Sequence, residues 1–537
     1  MKLRESHIEQ MDDKVFDVLV VGGGINGAVS CASLSTKGAS VALVDKGDFA
    51  SLTSQESSNL VWGGIKYLEG MEFGLVRKLC HSRNLLISHY PSTVREIRFF
   101  VTLKKNFRLG RVFLYLGTLF YWLMGSFFTR PPRLLSNRII NRDEGQVQTE
   151  ECAGGVEYSD AYLLDNDARF VFNFIKRAIA SGAKVANYVE SLGSTRGKDG
   201  IWSTEVKDLL SGRTFTIRSK ALINACGPLA DRYNEMSNIA TGHQHLFSKG
   251  IHLLVEKITD SKRVLSFFAD DGRLFFVIPM GSRSCLGTTD TRVDELPPFV
   301  TEEDRSFVLD NINKRLRLKK KLTRDDIIAE RCGVRPLVVE PNGNKDVSEG
   351  DWSSLSRKHA LEIDRAKKQL CIFGGKLTDC INVGDEVADA IVDLGIPLRY
   401  KNKKWYGEPS RQEKKRFLKK AQSLQLDSMT DPSASEPLSE RYWRRYGMDA
   451  FEMLDEIEKD ASKAEILLKG TEYTRCEIEY IAQREMVSKL EDFLRRRSKI
   501  ALLVRRTEIE NAQGLQETGQ MLFGEQSQDK INEYFAS

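Results

Sequence analysis

The spacing of apolar positions near the start of the chain changes twice. A short apolar run at 16–21 (FDVLVV) has strand character, and positions 26 to about 37 are spaced as a helix. The stretch 40–45 (SVALVD) returns to strand spacing, and Gly38 lies where a helix stop is needed. This is a β-α-β unit, which predicts a parallel sheet buried on both faces. Strand patterns recur at 156–164 (VEYSDAYLL), 219–227 (SKALINACG), 274–280 (LFFVIPM) and 368–376 (KQLCIFGGK). The helical stretch 167–181 can follow a strand as a crossover.

After about residue 400 the pattern changes. The polar, basic stretch RYKNKKWYGEPSRQEKKR reads as a linker, and helical spacing dominates beyond it, up to EMVSKLEDFLRRRSKIALLVRR. This predicts a separate helical C-terminal domain at 410–520 and a frayed tail at 521–537. The cationic run NKRLRLKKKLTR at 313–324 reads first as a solvated helix face, with contact to anionic lipid or a partner as the alternative.

Composition narrows the class. With 537 residues the chain is too long for one core, so two or three domains are expected. A net charge of +5 gives no reason to expect nucleic acid as a partner, yet suits a small anionic substrate or a lipid surface. The 9 cysteines show no C-x-x-C spacing, which points to reduced thiols in a cytoplasmic setting and to no metal site. The N-terminal stretch has no apolar signal core. Residues 112–129 (VFLYLGTLFYWLMGSFFT) are uncharged, just short of the roughly 20 residues a spanning helix needs. A helix buried in the fold, or dipped into one leaflet on the cytoplasmic face of a membrane, is the expectation.

Gly22, Gly24 and Gly27 follow the first strand as G-x-G-x-x-G, and Asp45 ends the second. The first glycine permits the tight turn, the second lets a pyrophosphate approach the backbone, and the third lets helix and strand pack closely. Asn26 opens a helix whose N-terminal dipole favours phosphate, and Asp45 can accept ribose hydroxyls. A long polar segment then ends in glycines, from Lys46 through Thr53, Ser54, Ser57 and Asn59 to Trp62, Gly63 and Gly64. Such a segment can run beneath a long cofactor, which favours FAD over a nicotinamide dinucleotide. Gly63 and Gly64 allow close approach to the flat isoalloxazine. Ala225 and Gly227, in NACGPLAD, are placed near the adenine or ribose end of the cofactor. Gly375, Lys376, Leu377 and Thr378, in FGGKLT, are placed against the flavin, with backbone N–H groups toward its carbonyl edge.

The stretches DVLVVGGGINGA, KGDFASLTSQESSNLVWGGIKYLE, GGVEYSDAYLLDNDARFV, LINACGPLAD, CLGTTDT, RCGVRPL, FGGKLT and DFLRRRSKIALL together resemble the FAD-dependent glycerol-3-phosphate dehydrogenases. These lie in the wider glycine-oxidase-like group of DAO-type flavoproteins. The resemblance implies an α/β fold, α+β overall. It comprises a Rossmann-like FAD-binding domain (about 14–75, 151–235 and 330–400), a mixed-sheet substrate domain (about 76–150 and 236–329) and the helical C-terminal domain. It implies oxidation of glycerol 3-phosphate at C2 to dihydroxyacetone phosphate. Electrons would pass to quinone or another acceptor in membrane-attached forms, or to oxygen in oxidase forms. The active-site positions carried over are Lys66, Tyr67, Arg335, Lys376 and Thr378 around the substrate, with His252 as base. Arg335 is read as steadying phosphate or alkoxide. A homo-oligomer is compatible with the chain.

Three positions depart from the family pattern. Asn59 stands for a lysine, Trp62 for a histidine and Lys66 for an arginine, so the bidentate guanidinium fork is lost there. They keep open a different small anion, such as a hydroxy acid, an amine or a sugar phosphate. A cofactor-binding protein without turnover is a third reading, which the retained cations disfavour. His243 and His245 form an H-x-H pair without a placed third ligand, and Asp385 reads equally as a second flavin signature or a helix cap.

Overall fold

The computed structural model describes residues 3–105, 107, 109–269, 272–339, 359–432 and 434–536. Among these, an eight-stranded sheet carries the predicted β-α-β unit. Its order is Ala360–Asp364, Gln369–Phe373, Thr214–Asn224, Val15–Val21, Val41–Val44 and Lys184–Ala186, with Trp202–Asp208 and Val189–Arg196 extending it beside Thr214–Asn224. The pairs along the centre are parallel, as a crossover connection requires. Val18, Leu19, Val20 and Leu43 are fully buried between helices on one face and an apolar layer on the other. The helices Ile25–Thr36, Asp167–Ala180 and Cys380–Asp393 supply the first layer. Gly38, at φ +100°, ends the first of them.

A ten-stranded, mostly antiparallel sheet stands beside it. Val94–Lys104, Cys152–Leu163, Val264–Phe268, Leu274–Met280, Arg283–Gly287 and Gln244–Glu256 form its body, and Ile327–Val339 lies along Gln244–Glu256. This corrects the expected division of the chain. Cys152–Leu163 and Ile327–Val339 were placed with the dinucleotide part, yet both pair in the second sheet. An apolar run announces a strand but not its partner, and these two long strands find theirs in distant antiparallel neighbours.

The C-terminal helices have their own core around Tyr442, Leu454, Leu468, Ile478 and Phe493. The expected frayed tail is instead the helix Ser527–Ala536. Gly519 lets it approach: a Cβ there would lie 2.8 Å from the Ile531 side chain, and Ile531 is buried. Of the cationic run only the start lies in an α-helix, at the end of Glu302–Arg315, and Arg324 opens a short 3-10 turn.

Candidate functional site

The glycines of the first turn are fixed by close contacts. Gly22 has φ +104°, and a Cβ on it would sit 2.5 Å from the Ala225 carbonyl oxygen. A Cβ on Gly27 would sit 1.8 Å from the Gly22 oxygen, whereas one on Gly24 would meet only Ser54 Oγ at 3.2 Å. Gly24 therefore leaves the N-terminus of helix Ile25–Thr36 open, with Ile25 N–H donating to Ser54 Oγ at 3.0 Å. Asn26 Nδ2 donates to the Gly374 oxygen at 2.9 Å, while its Oδ1 is buried without a hydrogen-bond partner. Asp45 closes the turn from below, accepting from Gly23 N–H at 2.5 Å and Gly47 N–H at 2.8 Å. Burial pushes its carboxyl up to about 6 against those two donors. Each oxygen retains a lone pair for a ribose hydroxyl. Gly227, at φ +57°, opens the short turn Gly227–Leu229 that follows Ala225. The glycine cradle, open helix end and orphaned amide oxygen fit a dinucleotide.

The polar segment after Asp45 is used differently from the expectation. Ser57 donates from both N–H and Oγ to Asp167 Oδ2, at 2.9 and 2.8 Å. Asn59, in a left-handed conformation at φ +59°, donates to the carbonyls of Leu163 and Asp165 and accepts from Arg331 at 2.9 Å. Both were expected to face the cofactor, and both spend their polar groups on the protein. Lys46 is exposed; Thr53 Oγ1 is buried and unpartnered.

Under this segment lies a clamp that sequence reasoning missed. The π-helical turn Asp492–Arg497 presents three consecutive buried arginines. Arg496 and Arg497 both donate to Asp48, at 2.7–2.9 Å, and Arg495 reaches the Gln55 carbonyl and Glu56. Burial would raise the Asp48 carboxyl, but the Arg497 and Arg496 guanidiniums outweigh it and hold it below the usual range. The only trace in the sequence is the RRR triplet inside an otherwise amphipathic stretch.

The second sheet covers the segment from the other side. His252 pairs with Arg331, Gly250 with Gly333 and Ser248 with Arg335, which puts these six on one face. A Cβ on Gly333 would lie 2.9 Å from Glu56 Cβ, so this face rests on the polar segment. Arg335 lies across Gly250, where a Cβ would meet its Nη2 at 2.1 Å. It donates to Asp290 at 2.9 Å and to Thr288 Oγ1 at 3.0 Å, so an ion pair is part of its setting. His252 is 4% exposed, and neither ring nitrogen has a hydrogen-bond partner among the described residues. Burial drives its imidazole down to about 3, with Arg331 and Arg335 adding to the effect.

At the third edge, Gly64 (φ +80°) starts the turn Ile65–Leu68 that carries exposed Lys66 and half-buried Tyr67. Lys376 Nζ donates to Tyr67 Oη at 2.5 Å and stands 3.9 Å from its ring centre. Lys376, Leu377 and Thr378 follow Gly375, whose φ is +115° and whose Cβ would touch Asn26 at 3.2 Å. Thr378 is buried. Trp62 lies 6.4 Å from Tyr67, ring to ring, and donates to Tyr158 Oη at 3.3 Å. The turn carrying Tyr67, the Lys376 loop and the helix Ile25–Thr36 therefore meet at one place. His243 is taken up by Glu362 at 2.9 Å, and His245 accepts from Gly374 N–H at 3.2 Å. Asp385 is no cap: it lies within helix Cys380–Asp393 and accepts from Lys37 and Trp405.

Comparison with known proteins accords with this geometry. The family described as FAD dependent oxidoreductase matches residues 17–361, and that described as the C-terminal domain of alpha-glycerophosphate oxidase matches 410–522. The aerobic glycerol-3-phosphate dehydrogenase of Staphylococcus saprophyticus is 30% identical over 516 residues, covering 92% of this chain and 88% of its own. The probable glycerol-3-phosphate dehydrogenase of Encephalitozoon cuniculi is also 30% identical, over 93% and 80%. The crystal structure of a glycerol-3-phosphate dehydrogenase from Bacillus halodurans, complexed with FAD, superposes with a TM-score of 0.71 at 24% identity. That match covers 100% of this chain and 97% of that one. The chain belongs to the FAD-dependent oxidoreductase family, shares its cofactor FAD, and groups within it with the glycerol-3-phosphate dehydrogenases.

Proposed function

We propose that this protein oxidises glycerol 3-phosphate at C2 to dihydroxyacetone phosphate and passes the electrons to a quinone-class acceptor at a membrane surface. The observation that carries the reading is His252, a buried imidazole with both nitrogens unpartnered beside Arg335. It supplies an acceptor for the C2 hydroxyl proton where a fixed cation can steady the oxygen left behind. With its pKa near 3 the ring stays neutral in the resting site. A phosphate dianion offsets the nearby guanidiniums and raises its affinity for the proton. Lys66, Tyr67, Lys376 and Thr378 hold the phosphate, since two or more cations suit a dianion. When bound, FAD supplies the two-electron acceptor for the hydride leaving C2. The Gly22–Gly27 turn, Asn26, Thr53 and the Gly374–Thr378 loop would hold the cofactor.

Attachment to a membrane rests on the helix Arg111–Met124. Among the described residues no helix is long and apolar enough to cross a membrane. This one instead exposes Val112, Phe113, Leu116, Phe120 and Leu123 along one stripe, continued by Phe127 and Phe128 and flanked by Met71 and Phe73. These side chains are already about half covered, so each one taken out of water contributes on the order of 1 kcal/mol, enough together to seat the face in one leaflet.

A second reading is favoured by Trp62 and Lys66, which replace an imidazole and a guanidinium in the family pattern: the substrate is then another small anion. Anaerobic titration separates the two. Glycerol 3-phosphate should bleach the oxidised flavin band of the purified yellow protein. Bleaching only by a hydroxy acid, an amine or another sugar phosphate supports the second reading, and no bleaching by any of them overturns both.

A further inference from the structure

A buried ionic cluster lies behind the turn that carries Lys66 and Tyr67, and the proposed chemistry does not use it. Asp160 is fully buried on strand Cys152–Leu163. Its Oδ1 accepts from Arg83 Nη1 at 2.7 Å, from Tyr121 Oη at 2.7 Å and from Gly63 N–H at 3.1 Å. Its Oδ2 is buried with no hydrogen-bond partner among the described residues. Arg83 and Tyr121 are also buried, and Arg83 Nη1 lies 3.3 Å from Tyr121 Oη. A cluster of this kind is costly to desolvate, and an apolar packing of equal volume would often be as stable. Its geometry is specific to one backbone position. Gly63 is held at its N–H by Asp160 and at its carbonyl by Cys80 Sγ, 3.8 Å away. A Cβ on Gly63 would lie 2.1 Å from Tyr121 Oη, so the phenol rests against the glycine backbone.

From Gly63 the chain passes directly through Gly64 into Ile65–Leu68, and so to Tyr67 and its bond with Lys376. We propose that Asp160, with Arg83 and Tyr121, is a positioning site. It fixes the Gly63 backbone and thereby places Lys66 and Tyr67 for the substrate's phosphate. The inference rests on the phosphate-binding reading above. Tyr121 comes from the helix with the exposed apolar stripe and is, with Thr118, its buried side. The same hydroxyl therefore ties that helix to the phosphate-binding turn.

The test uses the full-length holoenzyme and the variant Tyr121→Phe, which removes one donor and no bulk. Tyr442→Phe is the matched control. It deletes a buried hydroxyl bonded to Thr474 in the C-terminal core, remote from the turn. Tyr121→Phe should raise KM for glycerol 3-phosphate and weaken binding of inorganic phosphate, read by calorimetry, each about tenfold. Its kcat should stay within about twofold and its FAD content should equal that of the wild type. Tyr442→Phe should lower the melting temperature without moving either constant. If Tyr121→Phe behaves like the control, the cluster is structural only and the positioning claim is wrong. If Asp160→Asn folds, it should shift both constants at least as far, and an unshifted phosphate affinity there also overturns the claim. A wild-type protein that neither turns over glycerol 3-phosphate nor binds phosphate defeats the function reading first, and this inference with it.

Discussion

The two sides of the site differ in how fully their polar groups are spent. Below, most polar groups of the segment from Asp48 to Asn59 are spent on the protein, with Thr53 Oγ1 and Glu56 Oε2 the buried exceptions. Asp48 meets Arg496 and Arg497, Gln55 and Glu56 meet Arg495, Ser57 meets Asp167, and Asn59 meets Arg331 and two carbonyls. Above, His252 has two buried nitrogens with no partner among the described residues. A buried orphan normally costs about 1–3 kcal/mol, so its persistence on a well-packed sheet face calls for a ligand to satisfy it. The saturated side sets shape, and the unsaturated side is where chemistry can occur.

The largest effect is expected at His252. His252→Asn should lower kcat with glycerol 3-phosphate by about a hundred- to ten-thousandfold while flavin content holds. Its pH behaviour carries a second check. The folded pKa is depressed to about 3. The histidine's contribution to stability is therefore present above an unfolded value of about 6.5, and is lost as pH falls from there toward 3. Wild type minus His252→Asn stability should show that acid slope. A kcat within about tenfold of wild type would show that the orphaned ring serves no proton transfer.

On the saturated side the expected damage is to stability. Asp48→Asn leaves Arg496 and Arg497 without their shared carboxylate, and breaking a buried pair of this kind costs about 3–5 kcal/mol. Chemical denaturation should report that loss, along with weaker retention of FAD. Turnover per bound flavin should stay within about twofold. A collapse of turnover per flavin comparable with His252→Asn would erase the distinction between the two sides.

What could be read from the chain follows the same division. The glycines at 22, 24 and 27 were legible because their reasons are local: a turn, an open helix end and a helix over its own strand. The strand at 274–280 was legible from its apolar run alone. The ties of Ser57 and Asn59 to Asp167, Asp165 and Arg331 were not legible because those partners are far away in sequence. A polar side chain near a glycine pair looks alike whether it faces a cofactor or a distant carboxylate. The arginine clamp was hidden for that reason too, since an RRR triplet reads first as a solvated face. Arg335, read from the sequence as a ligand for phosphate or alkoxide, is also ion-paired with Asp290, a partner its own neighbourhood in the sequence does not announce.

One knot at the edge of the unsaturated side sharpens the contrast further, because it is saturated and titrates in an accessible range. His359 is buried between Asp379 and Glu386, with Nδ1 3.0 Å from the first and Nε2 2.5 Å from the second. Lys78 bonds Glu386 at 2.8 Å, and Ser82 and Asn382 donate to Asp379. Asp379 ends the Leu377–Asp379 turn, so the knot anchors the loop bearing Lys376 and Thr378. Burial alone would depress the imidazole, but hydrogen bonds to the two carboxylates outweigh it and raise the pKa to about 9. The sign is therefore opposite to that of His252. The stabilisation is complete below the unfolded value of about 6.5 and is lost as pH rises through about 9, amounting to on the order of 3 kcal/mol. His359→Gln should melt several degrees below wild type at pH 6, and the two curves should converge above pH 9. A gap that stays constant across that range would mean that His359 holds the loop by packing, with no contribution from its charge.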